Sequence, residues 1–435
     1  MTYDILGVGF GPSNLALAIA ASEPEADAGL RVGFLERQPR FGWHRGMLLD
    51  DATMQVSFLK DLVTQRNPTS DFSFLCYLQE RGRLADFINH KTLFPLRVEF
   101  HDYLEWAADR VANLVTYDRT VTAMAPVTDD HGVVVAFDVT ARDGQGREVT
   151  HRARNVVVAL GLAPNLPPGI TRGPRVWHNL DLLDRVATFP ETPEPRRFVV
   201  VGAGQSAAEV VDFLHRRYQR AEVCSVFSKW GYTPADDTPY ANRIFDPGAV
   251  DLYFGAGDGV KRMLFDYHRN TNYSVVDAEL IEELYRREYQ EAVLGERRLR
   301  MMNASQVVGH DARPDAVTVD VEFLPTGERA RLEADAVVYA TGYTPGDATR
   351  LLGEAADLVE RRADGLPAIE RDYRLALNRP AEAAIYVQGG TEHTHGISST
   401  LLSNIAVRSG EIVESVMARG APASRRDPRP VERIA

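Results

Sequence analysis

The stretch YDILGVGFGPSNLALAIAA, residues 3–21, decides the fold. It runs from a short apolar strand through three alternate glycines into a segment with apolar residues at helical spacing. Glycines at 7, 9 and 11 let the backbone turn tightly and approach a diphosphate. The diphosphate then sits on the free N–H groups and positive dipole end of the following helix. RVGFLE (31–36) reads as the next strand, and its terminal Glu36 is suited to accept hydrogen bonds from an unphosphorylated ribose. A single Gly-rich turn is weak evidence, because ordinary strand-to-helix turns also contain glycine.

A second copy removes that weakness. RFVVVGAGQSAAEVVDFLHRR (197–217) repeats the strand, the glycine turn at Gly202 and Gly204, and a helix opening on Gln205, Ser206 and Ala207. Its following strand, EVCSVF (222–227), ends without a carboxylate and continues into Ser228 and Lys229. The Glu36 end suits FAD. The carboxylate-free end tolerates a 2′-phosphate and so favours NADP over NAD, although Ser228 and Lys229 read equally well as solvated loop residues. The expected fold class is α/β, with two Rossmann-like dinucleotide-binding domains and a small, mainly helical substrate region.

Working outward, NVVVALGLAPNLPPG (155–169) is a buried strand followed by a Pro/Gly-rich turn, and PETPEPRR (190–197) reads as a boundary. Residues 236–295 are turn-rich at first, then helical through DAELIEELYRREYQEAV. Paired strands are expected near 303–338, closing on DAVVYATGY, and AIYVQGG (384–390) is one more buried strand. The expected division is 1–195 for the first part of the FAD domain and 196–345 for the NADP domain, with 236–295 as its substrate segment. Residues 346–420 return to the FAD and substrate domain, and 421–435 form a disordered tail.

A chain of 435 residues accommodates two or three domains. Its 49 Lys and Arg against 61 Asp and Glu leave a net charge of −12, which argues against non-specific nucleic-acid binding. Cys76 and Cys224 are far apart, with no CxxC, so neither a disulfide framework nor a dithiol redox centre is expected. The apolar N-terminus lacks the basic flank of a secretory signal, and no stretch is long and apolar enough to span a bilayer. A cytoplasmic location without membrane partners is expected. No His/Cys/carboxylate cluster has metal-ligand spacing, and His393-Thr394-His395 reads as a polar loop.

Residues 54–62, MQVSFLKDL, place Gln55 and Lys60 in an otherwise apolar run. Burying an unpaired ammonium is costly, so Lys60 must either reach the surface or meet an anion.

Seven dissimilar motifs now fall in one order. They are GVGFGPSNL with Pro12-Ser13-Asn14 at the usual third glycine, FGWHRGML (41–48), MQVSFLKDLVTQRNPTS (54–70), NRIFDP (242–247), TNYSVV (271–276), ATGY (340–343) and THGISSTLLS (394–403). From residue 3 to about 415 the chain resembles the flavin-dependent N-hydroxylating monooxygenases, the ornithine and lysine side-chain N-hydroxylases of siderophore and peptide biosynthesis. The NRIFDP and TNYSVV motifs are closer to the ornithine branch.

The resemblance implies a cycle in which NADPH reduces FAD, oxygen adds at the ring's C4a atom, and the resulting hydroperoxide passes a hydroxyl to the substrate amine. No protein nucleophile is implied. It makes Lys60 the partner of the substrate α-carboxylate and Gln55 a residue at the flavin's reactive face. Asn242 and Asn272 complete the amino-acid cradle, and Ser403 lies near the reacting end. Gly7, Gly9, Gly11, Pro12, Ser13, Asn14, Glu36, Trp43, His44 and Leu401 fall to FAD; Gly202, Gly204, Gln205, Ser206, Ala207, Ser228 and Lys229 fall to NADP. THGISSTLLS is expected to open a helix aimed at the flavin. The ornithine branch often has Arg where this chain has Ser228, which moves the expected 2′-phosphate contact toward Lys229. Each residue taken alone has a plainer reading: Lys60 as a snorkelling lysine, the asparagines as turn residues, Ser403 as a helix serine bonded to its own backbone, Trp43 as core.

L-ornithine is the expected substrate with oxygen as co-substrate, L-lysine is the alternative, and a homotetramer is the expected assembly. A disulfide reductase on the same fold would need a CxxC. A redox-sensing flavoprotein would bind both nucleotides without making hydroxylamine.

Overall fold

The computed structural model describes residues 2–23, 29–189 and 194–420. Strand β1 (Thr2–Val8) leads through the first glycine turn into the helix Pro12–Ser22, and β2 (Val32–Leu35) follows. Pro12 sits in the first helical turn, where its missing N–H leaves no bond unmade. Asn14 through Ala21 are all buried, and the small residues among them let the helix pack closely against the C-terminal helix Ile405–Gly420.

Three strands, β3 (Val115–Thr116), β4 (Arg119–Thr128) and β5 (Val134–Asp143), precede the long β6 (Glu148–Val158). The parallel core of this sheet runs β3-β2-β1-β6. The first half of β6 carries β5 and β4 as an antiparallel arm. Val156, Val157 and Val158 are buried, as an apolar run covered on both faces requires.

After β6 the chain crosses over as β7 (Leu162–Pro164) and enters the second sheet as β8 (Val176–His178). Although residues up to 195 were expected with the first domain, β8 pairs with the second sheet. That sheet contains β9 (Arg197–Val201), β10 (Glu222–Val226) and β11 (Leu299–Met302). A separate antiparallel layer of β12 (Ser305–Ala312), β13 (Val317–Phe323) and β14 (Glu328–Ala334) intervenes before β15 (Ala336–Tyr339). The finished order is β11-β10-β9-β15-β8, parallel throughout. The return crossing, β16 (Tyr343–Pro345), pairs antiparallel with β7, so the outward and return crossings lie side by side. β17 (Ala384–Val387) then rejoins the first sheet beside β6.

The chain is therefore α/β with two Rossmann-like sheets. Residues 236–295 are more helical than their composition suggests: Pro247–Gly255 and Asp258–His268 are helices, followed by the expected one, Ala278–Leu294. Pro247 starts the first of these at its N-terminal turn, the position where proline reads as a helix opener and not a breaker. The expected tail, 421–435, lies outside the described residues. Among the described residues no helix is long and apolar enough to cross a membrane.

The turn Arg45–Met47 packs against the turn Asn179–Asp181, joining the region around the first sheet to that around the second. A Cβ at Gly46 would stand 1.7 Å from the Leu180 carbonyl oxygen. Gly46→Ala must push these backbones apart and is expected to destabilise the fold by about 1–3 kcal/mol. Urea unfolding measures this, and an unchanged midpoint would contradict the packing.

Candidate active site

The first glycine turn has the shape that a diphosphate cradle needs. Gly9 has φ +85°, and a Cβ there would lie 2.3 Å from the Ala159 carbonyl oxygen, just beyond β6. Gly11 faces open space, with nothing within 4 Å of where its Cβ would be. The Asn14 amide donates to the Gly9 carbonyl at 2.7 Å and closes the turn from inside. Glu36 is buried, its oxygens accepting the backbone N–H groups of Phe10 (2.5 Å) and Gln38 (2.8 Å). Each oxygen retains a second lone pair, so a ribose hydroxyl can still be accepted.

Behind this turn lies a residue the sequence did not single out. Arg408 is 2% exposed and donates to the Gln388 side chain (3.1 Å), the Ser399 carbonyl (2.6 Å) and the Ser13 hydroxyl (3.2 Å). All three partners are neutral, so a buried positive charge backs the start of the helix Pro12–Ser22. Gln388 in turn donates to Asn14. Nearby in sequence, the buried hydroxyls of Thr391 and Ser399 and the whole amide of Asn404 have no hydrogen-bond partner among the described residues. A buried cation with orphaned polar groups is what a site for an anionic cofactor looks like with only its protein atoms described.

The second turn repeats the geometry. Gly202 has φ +146°, and a Cβ there would lie 2.3 Å from the Ala340 carbonyl oxygen, just beyond β15. A Cβ at Gly204 would lie 3.5 Å from the Ser274 Cα, and the helix Gln205–Arg217 begins at once, with Ser206 and Ala207 in its first turn. Ser228 is exposed, whereas Lys229 donates its ammonium to the Ser274 carbonyl at 2.5 Å. Burial, and then the nearby Arg269 guanidinium, lower the Lys229 pKa. Arg269 is thus a second cation at this end, invisible in a sequence where it lies forty residues from Lys229.

The segment 54–62 forms no regular helix. Met54 and Leu62 are buried, Gln55 is exposed and Lys60 is half-buried. Asp61 anchors the turn by accepting from the backbones of Val63, Thr64 and Phe74 at 2.7–3.0 Å. The Lys60 ammonium lies 5.5 Å from the centre of the Phe245 ring and makes no ion pair among the described residues. Burial lowers its pKa, and Asp246 partly opposes this.

Phe245 belongs to the short turn Ala241–Phe245, which also carries Asn242, held by its amide to the Asp237 carbonyl at 2.6 Å. That turn packs against Ile397–Thr400. Asn272 follows the turn Arg269–Thr271. Its neighbour Tyr273 donates to Glu392, which also accepts from the Thr400 hydroxyl at 2.9 Å. Three separate segments, 54–62, 241–246 and 392–404, are thereby linked, and 271–273 joins them through Glu392. Ser403 is 2% exposed within this cluster, and Leu401 is partly buried.

THGISSTLLS does not itself form a helix. Thr394 and His395 end the short helix Glu392–His395, the rest breaks into the turns Ile397–Thr400 and Leu402–Asn404, and the long helix begins at Ile405. Gly396, at φ +82°, and the hydroxyl-rich run that follows favour turns over regular helix. Trp43 packs edge-on to His44, which also meets Tyr343 edge-on at 5.8 Å. Burial and then Arg97 push His44 down to about 4. An open crevice of about 840 Å³, lined in part by Asp251, Glu370 and Arg374, contains none of the expected site residues.

Residues 1–345 match the L-lysine 6-monooxygenase/L-ornithine 5-monooxygenase family. The chain belongs to this family. The L-ornithine N(5)-oxygenase of Arthrobotrys oligospora is 41% identical over 435 residues, 96% of this chain and 89% of its own length. The L-ornithine N(5)-monooxygenase of Burkholderia cepacia is 41% identical over 401 residues, 91% of this chain and 90% of its own. The ornithine N-hydroxylase of Kutzneria sp. 744, solved with reduced FAD, NADP⁺ and L-ornithine, matches with a TM-score of 0.93 at 47% identity. It covers 97% of this chain and all of its own.

Beside the cluster of this family member, His395 is 1% exposed, stacked on Tyr373 at 4.2 Å, and its Nε2 lies 3.1 Å from the Arg371 carbonyl. Burial pushes its pKa down to about 3, against about 6.5 in an unfolded chain. The unfolded state therefore takes up the proton first. The stability from neutral His395 is complete above pH 6.5 and is lost as pH falls toward 3. Urea midpoints should drop between pH 7 and 5, and less steeply in His395→Gln; parallel curves would contradict the assignment.

Proposed function

We propose that the chain is an FAD- and NADPH-dependent monooxygenase that hydroxylates the side-chain amine of L-ornithine, giving N-hydroxyornithine for siderophore or peptide natural products. The observation that carries this reading is the half-buried Lys60 ammonium, which lies over Phe245 and among the described residues has no ion-paired carboxylate, Asp246 acting on it only without direct pairing. A cation left in that state is an acceptor site for an anion, and an amino-acid α-carboxylate is the anion that leaves an amine at the far end of the substrate.

Bound FAD supplies the redox and oxygen-activating chemistry. The protein's own residues bind and orient. Lys60 holds the α-carboxylate, Asn242 and Asn272 the adjoining polar groups, and Ser403 the reacting end. Gln55, Trp43, His44 and Leu401 border the flavin, which the first glycine turn, Glu36 and Arg408 retain. Gly202 through Ala207 take the NADP diphosphate, and Lys229, with Ser228 beside it, meets the 2′-phosphate by leaving the Ser274 carbonyl. Neutral His44 adds no charge to this space. The substrate amine has a free pKa near about 10.4 and must lose its proton to react, so turnover should rise with pH. Exposed Leu252, Tyr267, Tyr285, Val293 and Leu294 on the helices of 247–294 supply apolar surface for the homotetramer we infer. We also place the first domain's end near the β7 crossing. L-lysine is the second reading, because one methylene alters binding by only about 1–3 kcal/mol.

An amine panel tests the proposal: ornithine, lysine, putrescine and cadaverine, each scored for hydroxylamine and for NADPH oxidised. Ornithine should couple best. Lys60→Ala should lose ornithine binding by about a hundredfold while NADPH oxidation continues, with putrescine gaining relative to ornithine. A coupled Lys60→Ala enzyme with unchanged KM for ornithine would make Lys60 structural, and no hydroxylamine from any amine would refute the function.

A further inference from the structure

Asp277 immediately precedes the helix Ala278–Leu294, yet its carboxylate does not cap that helix. An aspartate at this position ordinarily accepts from the helix's own first-turn N–H groups. Here both oxygens are turned elsewhere. Oδ1 accepts from the Gln55 amide at 3.0 Å and Oδ2 from the Gln205 amide at 2.9 Å. One glutamine comes from the segment that carries Lys60, the other from the start of the helix after the second glycine turn.

Gln205 is locked in one orientation. Its Nε2 also donates to Glu209 at 3.0 Å, and its Oε1 accepts the Asp277 backbone N–H at 2.9 Å. Glu209 is itself held by Arg97, at 2.6 and 2.9 Å, and Arg97 reaches the carbonyls of Met47 and Thr53. Among the described residues Gln55 has no such additional clamp: its amide is oriented by Asp277. A carboxylate can only accept, so it obliges Gln55 to turn its NH₂ group inward, leaving its carbonyl oxygen as the acceptor free for a ligand.

We propose that Asp277 is a positioning residue that sets the hydrogen-bond polarity of Gln55, through a network that also fixes Gln205 in the second nucleotide turn. This rests on the reading above that Gln55 borders the flavin and Gln205 the nicotinamide nucleotide. The carboxylate itself is required. In Asp277→Asn the locked Gln205 captures the new carbonyl oxygen, so the new NH₂ faces Gln55. Gln55 must then flip and offer a donor where it had offered an acceptor. A flavin ring carries a lone pair at one edge nitrogen when oxidised and an N–H there when reduced, so the flip changes which redox state Gln55 favours.

The test is a double-mutant cycle on the FAD-loaded protein, with Asp277→Asn, Gln55→Leu and the pair. Two quantities are read: the midpoint potential of bound flavin, and hydroxylamine formed per NADPH oxidised. Asp277→Asn should shift the potential and lower the coupling ratio severalfold in the native background, and do neither once Gln55 is Leu. Asp277→Glu should retain most of the native coupling. Asp277→Ser, whose single oxygen cannot hold both glutamines, frees Gln55 without forcing the flip. It should lower the coupling ratio only when Gln55 is present, which keeps the test open if the Asn variant folds poorly. Equal shifts in both backgrounds would mean that only the lost charge is felt, and would overturn the proposal, as would no shift at all. Native protein that binds no FAD would remove the functional reading and this inference together. Native protein that binds FAD, beside an indistinguishable Asp277→Asn, would remove this inference alone.

Discussion

Two backbones touch where no side chain can stand between them, and they do so twice. Gly9 meets the carbonyl of Ala159, and Gly202 meets that of Ala340, each at 2.3 Å from where a Cβ would be. These contacts press each glycine turn onto the end of its sheet's neighbouring parallel strand, β6 in one case and β15 in the other. The helices after the turns then start close to the strand ends, with their unsatisfied N–H groups facing one side. The two crossings between the sheets leave from the same points, so β7 and β16 pair a few residues beyond Ala159 and Ala340. The placement of both nucleotide turns and of the connection between domains follows from one steric requirement, met in both halves.

Charge organises the space between the turns. Most buried or half-buried guanidinium groups have a carboxylate: Arg97 has Glu209, Arg66 has Glu23, and Arg371 has Glu411. Lys60, Lys261 and Arg408 have no ion pair among the described residues: Lys60 lies over the Phe245 ring, Lys261 over the rings of Tyr253 and Phe254, and Arg408 among neutral oxygens. Removing a charge from water without a paired one is unfavourable, and Asp246 and Glu411 act on Lys60 and Arg408 only without direct pairing, so these two positions are explicable by anions that arrive with ligands. In the functional reading these are the substrate carboxylate and the FAD diphosphate, met by two local cations in a chain whose net charge is −12.

Local signals were legible. The glycine turns, the strands at 31–36 and 222–227, the buried strand at 384–387 and the helix at 278–294 all follow from short-range pattern, because the residues that decide them are neighbours in the chain. Lys60 was legible as a question, since an ammonium in an apolar run has few places to go. What could not be read depends on distant pairing. The edge strand Val176–His178 looks like any short apolar segment until β15 lies beside it. The antiparallel arm 119–143 is defined by the pairing of β5 with β6 and of β4 with β5. Arg408 reads as a surface residue of an amphipathic helix, and only the approach of Ser13 and Gln388, which lie far from it or across a turn, shows that it is buried. Asp277 reads as a helix cap, and only the two glutamines show that its carboxylate is directed elsewhere.

If the Lys60 ammonium is the partner of a substrate carboxylate, a ligand that lacks only that charge tests the pairing most directly. Equilibrium binding of L-ornithine and of L-ornithine amide to the FAD-loaded, NADP⁺-bound protein, measured by calorimetry at one pH and salt concentration, isolates the carboxylate without altering the protein. The amide should bind at least about tenfold more weakly, a loss of about 1.4 kcal/mol or more, and the difference should shrink as salt is raised to the extent that solvent reaches the pair. Equal affinities for the two ligands would contradict the account.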